Sequence, residues 1–206
     1  MPLLASASHD CKVKIWDLET FELIKTFCDH THIVSISIFS PDNNKLVSGS
    51  NKGEIRVWNV ETCECLHILK GHYECINSIS FNQYGNRTAS SSEDSSIRIW
   101  NLETFECINT LRFYDGSPRL VSFNLDGSKI LSVSDTLKFR VWNIETGKCI
   151  NTLICNAECV DLFCFSPDLT KVISSSDYDK TKYTRCKKRY KKYYKEMRHK
   201  LEELNK

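Results

Sequence analysis

Glycine and proline are scarce, seven and four in 206 residues. No cluster of glycines exists to cradle a phosphate, which excludes the common nucleotide-binding loops. No run approaches the roughly 18 apolar residues that a membrane-spanning helix needs. The opening stretch, Met1-Pro-Leu-Leu-Ala-Ser-Ala-Ser-His-Asp10, lacks the basic start and full apolar core of a secretory signal. An even set of cysteines is also missing. Eleven cysteines cannot all pair, which argues against a complete disulfide framework. Cys65, Cys107 and Cys149 recur at equivalent places, as buried reduced thiols would. A cytoplasmic location follows as the expectation, with the nucleus as the second reducing compartment. Metal-ligand spacing is lacking as well: Cys63, Cys65 and His67 share one side of a strand, and Cys155, Cys159 and Cys164 follow later, but neither set has zinc-site spacing. No metal and no cofactor is expected. The composition, 41% hydrophobic and 26% charged, is that of an ordinary globular chain.

What the sequence does have is a period. Trp16, Trp58, Trp100 and Trp142 stand 42 residues apart each time, and they are all the tryptophans in the chain. Before each lies an alternating apolar and polar stretch, such as Ser96-Ile-Arg-Ile-Trp100, as expected of a strand with a buried face. After each lies a turn-like segment: Asp17-Leu-Glu-Thr20, Asn59-Val-Glu-Thr62, Asn101-Leu-Glu-Thr104 and Asn143-Ile-Glu-Thr146. Serines keep the same interval at 6, 48, 90 and 132, and again at 8, 50, 92 and 134. A full unit contains four strand candidates, Ile76–Phe81, Arg87–Ser91, Ser96–Asn101 and Cys107–Leu111. A fixed period of this size marks stacked supersecondary units, and four short strands per unit predict one propeller blade.

With the dipeptides Gly71-His72 and Trp16-Asp17, and Asn59, Asn101 and Asn143 in the Asp place, the chain resembles the WD-repeat (beta-transducin-like) propeller family over about residues 3 to 178. The resemblance implies an all-β propeller of four blades plus a partial fifth. It also implies a buried relay joining a His before the first strand, a Ser or Thr on the second, an Asp in the following turn and the Trp. One unit holds every member: His72, Ser90 or Ser92, Asp94 and Trp100, with Ser92 the preferred serine. The implied role is structural, because a buried carboxylate needs donors and a buried indole N–H needs an acceptor. In the unit beginning at His30 the Asp place holds Lys52; in the next but one, Tyr114 replaces His and Thr136 replaces Asp. Weaker blades are expected there.

The repeats occupy residues 1–179, at the short end for a propeller. Two closures are open: the strand at 159–165 completes the N-terminal blade, or the chain forms an open arc with bare strand edges, which invite self-association. Residues 180–206 differ in kind, with twelve Lys or Arg against three Glu, whereas residues 1–179 carry a net charge of −7. Tyr183, Tyr190, Met197 and Leu201 or Leu204 recur at helical spacing, so a basic amphipathic helix is expected from about Thr181 to Leu204. It is a solvated cover for the last blade, a partner-binding or self-pairing helix, or a polyanion-binding segment through Lys187, Lys188, Arg189, Lys191 and Lys192, a run that also resembles a nuclear-import signal.

The function implied is non-enzymatic: a scaffold that binds other proteins or peptides through loops on one rim. Thr31, His32, Lys52, Tyr73, Glu74 and Asp115 are the candidate contacts, and tyrosine is the strongest anchor type among them. Serine, histidine and aspartate abound, but repeat position accounts for each, which leaves no hydrolase triad. The alternatives are nucleic-acid or acidic-surface binding through the tail alone, and a truncated, non-functional copy of a longer propeller protein.

Overall fold

The computed structural model describes residues 2–154, 162–165 and 172–175. The chain divides into two compact units, residues 1–154 and 155–206. In the first unit, β1 (Leu3–Ala7), β2 (Val13–Asp17) and β3 (Leu23–Phe27) form a three-stranded antiparallel sheet. Three four-stranded sheets follow. They are β4 (Val34–Phe39), β5 (Lys45–Ser50), β6 (Ile55–Asn59) and β7 (Cys65–Leu69); then β8 (Ile76–Phe81), β9 (Arg87–Ser92), β10 (Ser96–Asn101) and β11 (Cys107–Arg112); then β12 (Pro118–Phe123), β13 (Lys129–Ser134), β14 (Lys138–Asn143) and β15 (Cys149–Ile154). Within every sheet the spatial order follows the chain order, so each is an up-and-down meander. These are the expected blades, and their bounds agree with the strand pattern to within a residue or two.

Where two blades meet, their facing sides are buried against each other. Ile97, Ile99 and Leu111 of the third blade pack with Val121, Phe123 and Ile130 of the fourth. Trp100 of the third lies instead among Val47, Ile55, Val57 and Leu69 of the second. In the same way Trp58 joins Val13, Ile15 and Phe27 of the first blade. A single blade could not bury both faces alone, which is why such units stack.

The tryptophan ladder also sets the irregularities. Pairing between the last two strands of each blade shifts register at Ile15/Trp16, Val57/Trp58, Ile99/Trp100 and Val141/Trp142. One β-bulge therefore recurs at every indole. The residue after each Trp then closes the turn with its side-chain oxygen. Asp17 Oδ1 accepts from the backbone N–H of Glu19 at 2.7 Å, Asn59 Oδ1 from Glu61 at 2.8 Å, and Asn101 Oδ1 from Glu103 at 2.7 Å. Asp and Asn interchange at this place because either supplies the acceptor the turn needs.

In the second unit, β16 (Leu162–Phe165) and β17 (Val172–Ser175) pair antiparallel. Of the expected closing strand at 159–165, only the part that pairs with β17 is described. The boundary at residue 179 and the basic helix from Thr181 to Leu204, with Lys187, Lys188, Arg189, Lys191 and Lys192, lie outside the described residues.

Candidate functional site

The third blade assembles the relay from four different segments. His72 enters from the loop before β8, Ser90 from the middle of β9, Asp94 from the turn after it, and Trp100 from β10. Trp100 Nε1 donates to Ser90 Oγ at 2.9 Å, and Ser90 Oγ lies 2.8 Å from His72 Nε2. His72 Nδ1 lies 2.7 Å from Asp94 Oδ2. Counting protons gives one consistent chain: indole N–H to hydroxyl oxygen, hydroxyl O–H to Nε2, and Nδ1–H to carboxylate. Ser96 completes the carboxylate shell, donating its hydroxyl to Asp94 Oδ1 at 2.6 Å and its backbone N–H at 3.0 Å. Burial by itself would push the Asp94 carboxyl up, but the hydrogen bonds from His72 and Ser96 outweigh it and hold the group below its ordinary value.

The preferred Ser92 is corrected to Ser90. Ser90 faces Arg98 across the ladder, one diagonal step from Trp100, whereas Ser92 faces Ser96, a further pleat away. The Ser92 hydroxyl instead donates to the Glu74 carbonyl at 3.1 Å and accepts the Asp94 N–H at 3.2 Å. It shapes the turn that holds the aspartate. The same first serine serves every blade: Trp16 donates to Ser6 at 2.9 Å, Trp58 to Ser48 at 2.7 Å and Trp142 to Ser132 at 2.8 Å.

The second blade replaces its missing aspartate. Lys52 occupies the expected place, but Glu54, two residues on, brings Oε1 within 2.9 Å of His30 Nδ1 while also accepting from Arg56 Nε at 2.7 Å. The approach to His30 misses the N–H direction, so Nδ1 makes no formal hydrogen bond. Ser48 Oγ sits 2.6 Å from His30 Nε2. Burial, only partly offset by the Glu54 charge, pushes the His30 imidazole down to about 4. The fourth blade substitutes differently. Tyr114 is 94% exposed and takes no part; the preceding Phe113 fills the space, its ring 5.1 Å from Trp142.

On the rim carrying these loops, Thr31, His32, Lys52, Tyr73 and Glu74 are exposed. Thr31 and His32 share a hydrogen bond at 2.9 Å. Asp115 is not free: its carboxylate is held by Lys138 and Arg140, and its carbonyl accepts from Thr136 Oγ1 at 2.9 Å. The ion pairs and hydrogen bonds follow from its place beside β14, and they hold its carboxyl below the ordinary range, the Lys138 hydrogen bond most strongly.

Neighbouring loops on this rim are fastened to one another. A Cβ on Gly53 would lie 2.5 Å from the His72 carbonyl oxygen, so only glycine lets the two loops touch. Ser117 Oγ donates to the Glu93 carbonyl at 3.3 Å, and Ser117 N to Asp135 Oδ1 at 3.0 Å. The expectation of buried thiols at the recurring cysteines is corrected. Cys107 and Cys149 are exposed and Cys65 is half-buried, because the bulge opposite each Trp turns the start of the outer strand toward solvent. His67, near Cys65, stacks on Phe105 at 4.6 Å.

Comparison with known proteins places these features. The family model described as "WD domain, G-beta repeat" matches residues 1–17, 21–59 and 63–101. Over 46 residues the chain is 44% identical to the transcriptional corepressor LEUNIG_HOMOLOG of Arabidopsis thaliana. That match spans 22% of this chain and 6% of the relative.

Proposed function

Because the chain belongs to the WD-repeat family, we propose that it is a non-enzymatic protein-interaction scaffold whose partners dock on the rim formed by the loops before β4 and β8 and after β5. One observation carries the reading. Adjacent loops on that rim are locked together at Gly53 and His72, and at Ser117 and Glu93, while Tyr73, 67% exposed, and its neighbours Lys52 and Glu74 remain outside the packed body. A rigid platform with exposed anchors loses little conformational freedom on binding. The His, Ser, Asp and Trp groups are consumed by one another in the core and offer no reacting atom to a substrate. Similarity to a protein named a transcriptional corepressor supports interaction by repeats of this kind; corepression itself is that protein's property.

The test is site-specific photo-crosslinking in cells, with a photoreactive phenylalanine at Tyr73 or at Thr104, which lies in the turn at the opposite end of the blade. The proposal expects discrete adducts from position 73 and few from 104. Equal adducts from both, or adducts only from 104, would contradict it.

A further inference from the structure

The four blades place a cation two residues before each tryptophan: Lys14, Arg56, Arg98 and Arg140. Three of them are neutralised within the fold. Lys14 lies 3.7 Å from Asp10, Arg56 lies 2.7 Å from Glu54, and Arg140 is paired with Asp115. Arg98 is the exception among the described residues. The place equivalent to Glu54 is Ser96 in its blade, and the place equivalent to Asp115 is Tyr73. Asp94, which corresponds to Asp10, is already committed to His72.

Among the described residues, no aromatic ring lies over the Arg98 guanidinium as one does over Arg140. Phe113 lies over Arg140, with the guanidinium 5.0 Å from the ring centre. The equivalent residue beside Arg98 is Gly71, and a Cβ there would come within 2.7 Å of Arg98 Nη1. The Arg98 Nε–H is buried without an acceptor, and Nη1 has only the Cys107 sulfur at 3.9 Å. Two further cations lie close by in chain and ladder: Lys70 precedes Gly71, and Arg112 follows on β11, two residues past the ladder partner of Arg98. Both are exposed, and so is Tyr73, which holds the place of Asp115 in this blade.

We infer that the third blade takes a carboxylate from outside: an acidic segment of a protein partner docks on the rim with a Glu or Asp side chain on Arg98, flanked by Lys70, Arg112 and Tyr73. The inference rests on the scaffold reading and names the partner's chemistry. Arginine suits the task because its planar fork binds carboxylates in pairs of hydrogen bonds. The sister blades show what this position does when a carboxylate is present.

The probe is a fluorescein-labelled hexaglutamate peptide, with hexaglutamine as control, measured by anisotropy at low salt. The protein is the full chain with Lys187, Lys188, Arg189, Lys191 and Lys192 changed to Gln, so that the tail cannot supply the binding. Saturable binding of hexaglutamate alone is expected, weakened about tenfold or more by Arg98→Gln, as for loss of a charge-assisted pair. Folding is the second readout. Arg98→Gln should leave the urea midpoint unchanged, whereas Arg140→Gln, which breaks an internal pair, should lower it. Equal affinity for the two peptides, no effect of Arg98→Gln on binding, or a stability loss matching Arg140→Gln would each overturn the inference. So would tighter, Arg98-dependent binding of a single-stranded oligonucleotide. Failure here with rim crosslinks at Tyr73 intact would remove the acidic partner and leave the scaffold standing.

Discussion

At the scale of single residues, Ser90 carries more than its size suggests. Its hydroxyl accepts from the Trp100 indole and faces His72, so Ser90→Ala strands two buried polar groups at once. A loss of about 2 to 4 kcal/mol in urea unfolding is expected, since each stranded group costs about 1 to 3 kcal/mol. Ser92→Ala removes contacts to backbone groups at the turn and should cost about 1 kcal/mol or less. Equal losses would contradict the assignment. His30 gives a pH signature. Its folded-state value is about 4 against an ordinary 6.5, so between those limits the unfolded chain binds the proton more readily. Stability should therefore fall as pH drops from about 6.5 toward 4. Asp94 acts later and with the usual carboxylate sign. Its contribution is complete above the ordinary value of 3.8 and fades as pH falls through the lower folded value. In His30→Gln the slope between pH 6.5 and 4 should flatten, read as the urea midpoint at several pH values; an unchanged slope would sink the claim.

At the scale of elements, the poverty in glycine leaves a mark on the turns. The sister positions 11, 53, 95 and 137 all have positive φ, but only Gly53 is a glycine; Cys11, Ser95 and Leu137 hold the same left-handed conformation with side chains, at φ of 64°, 60° and 58°. Such a residue costs roughly 1 to 2 kcal/mol there. Ser95→Gly should relieve that strain and, after the entropy glycine loses on folding, raise stability by about 0.5 to 1 kcal/mol. Gly53→Ala should do the opposite and more strongly, because the new Cβ would meet the His72 carbonyl. Thermal unfolding of the two variants checks the pair, and the same sign for both would refute it. These turns were only half legible in the sequence. Strand bounds such as Ile76–Phe81 and Ser96–Asn101 could be read because alternation and period agree. The substitution of Glu54 for the missing aspartate could not be foreseen, since it depends on a side chain reaching His30 from two residues beyond the expected place. The choice between Ser90 and Ser92 turned on cross-strand register, and the ladder of serines alone leaves it open. The exposed cysteines were missed for a related reason: the bulge at each tryptophan is a property of pairing between strands, not of one strand's pattern.

At the scale of the whole molecule, the blades owe their order to one another. Every tryptophan but Trp16 is buried, and Trp58 and Trp100 are covered by apolar side chains of the preceding blade as well as their own. The rim that results is a set of loops fastened to one another at Gly53 and His72 and at Ser117 and Glu93. The most direct test is hydrogen exchange of the four indole N–H groups, followed by NMR in the 206-residue chain. Trp58, Trp100 and Trp142 should exchange slowly and together, near the rate of global unfolding, because each indole N–H is bonded to a buried serine; Trp16, half-buried against Ser6, should exchange faster. Four indoles exchanging at the rate of open solvent, or three with unrelated rates, would contradict the stacked blades on which the account stands.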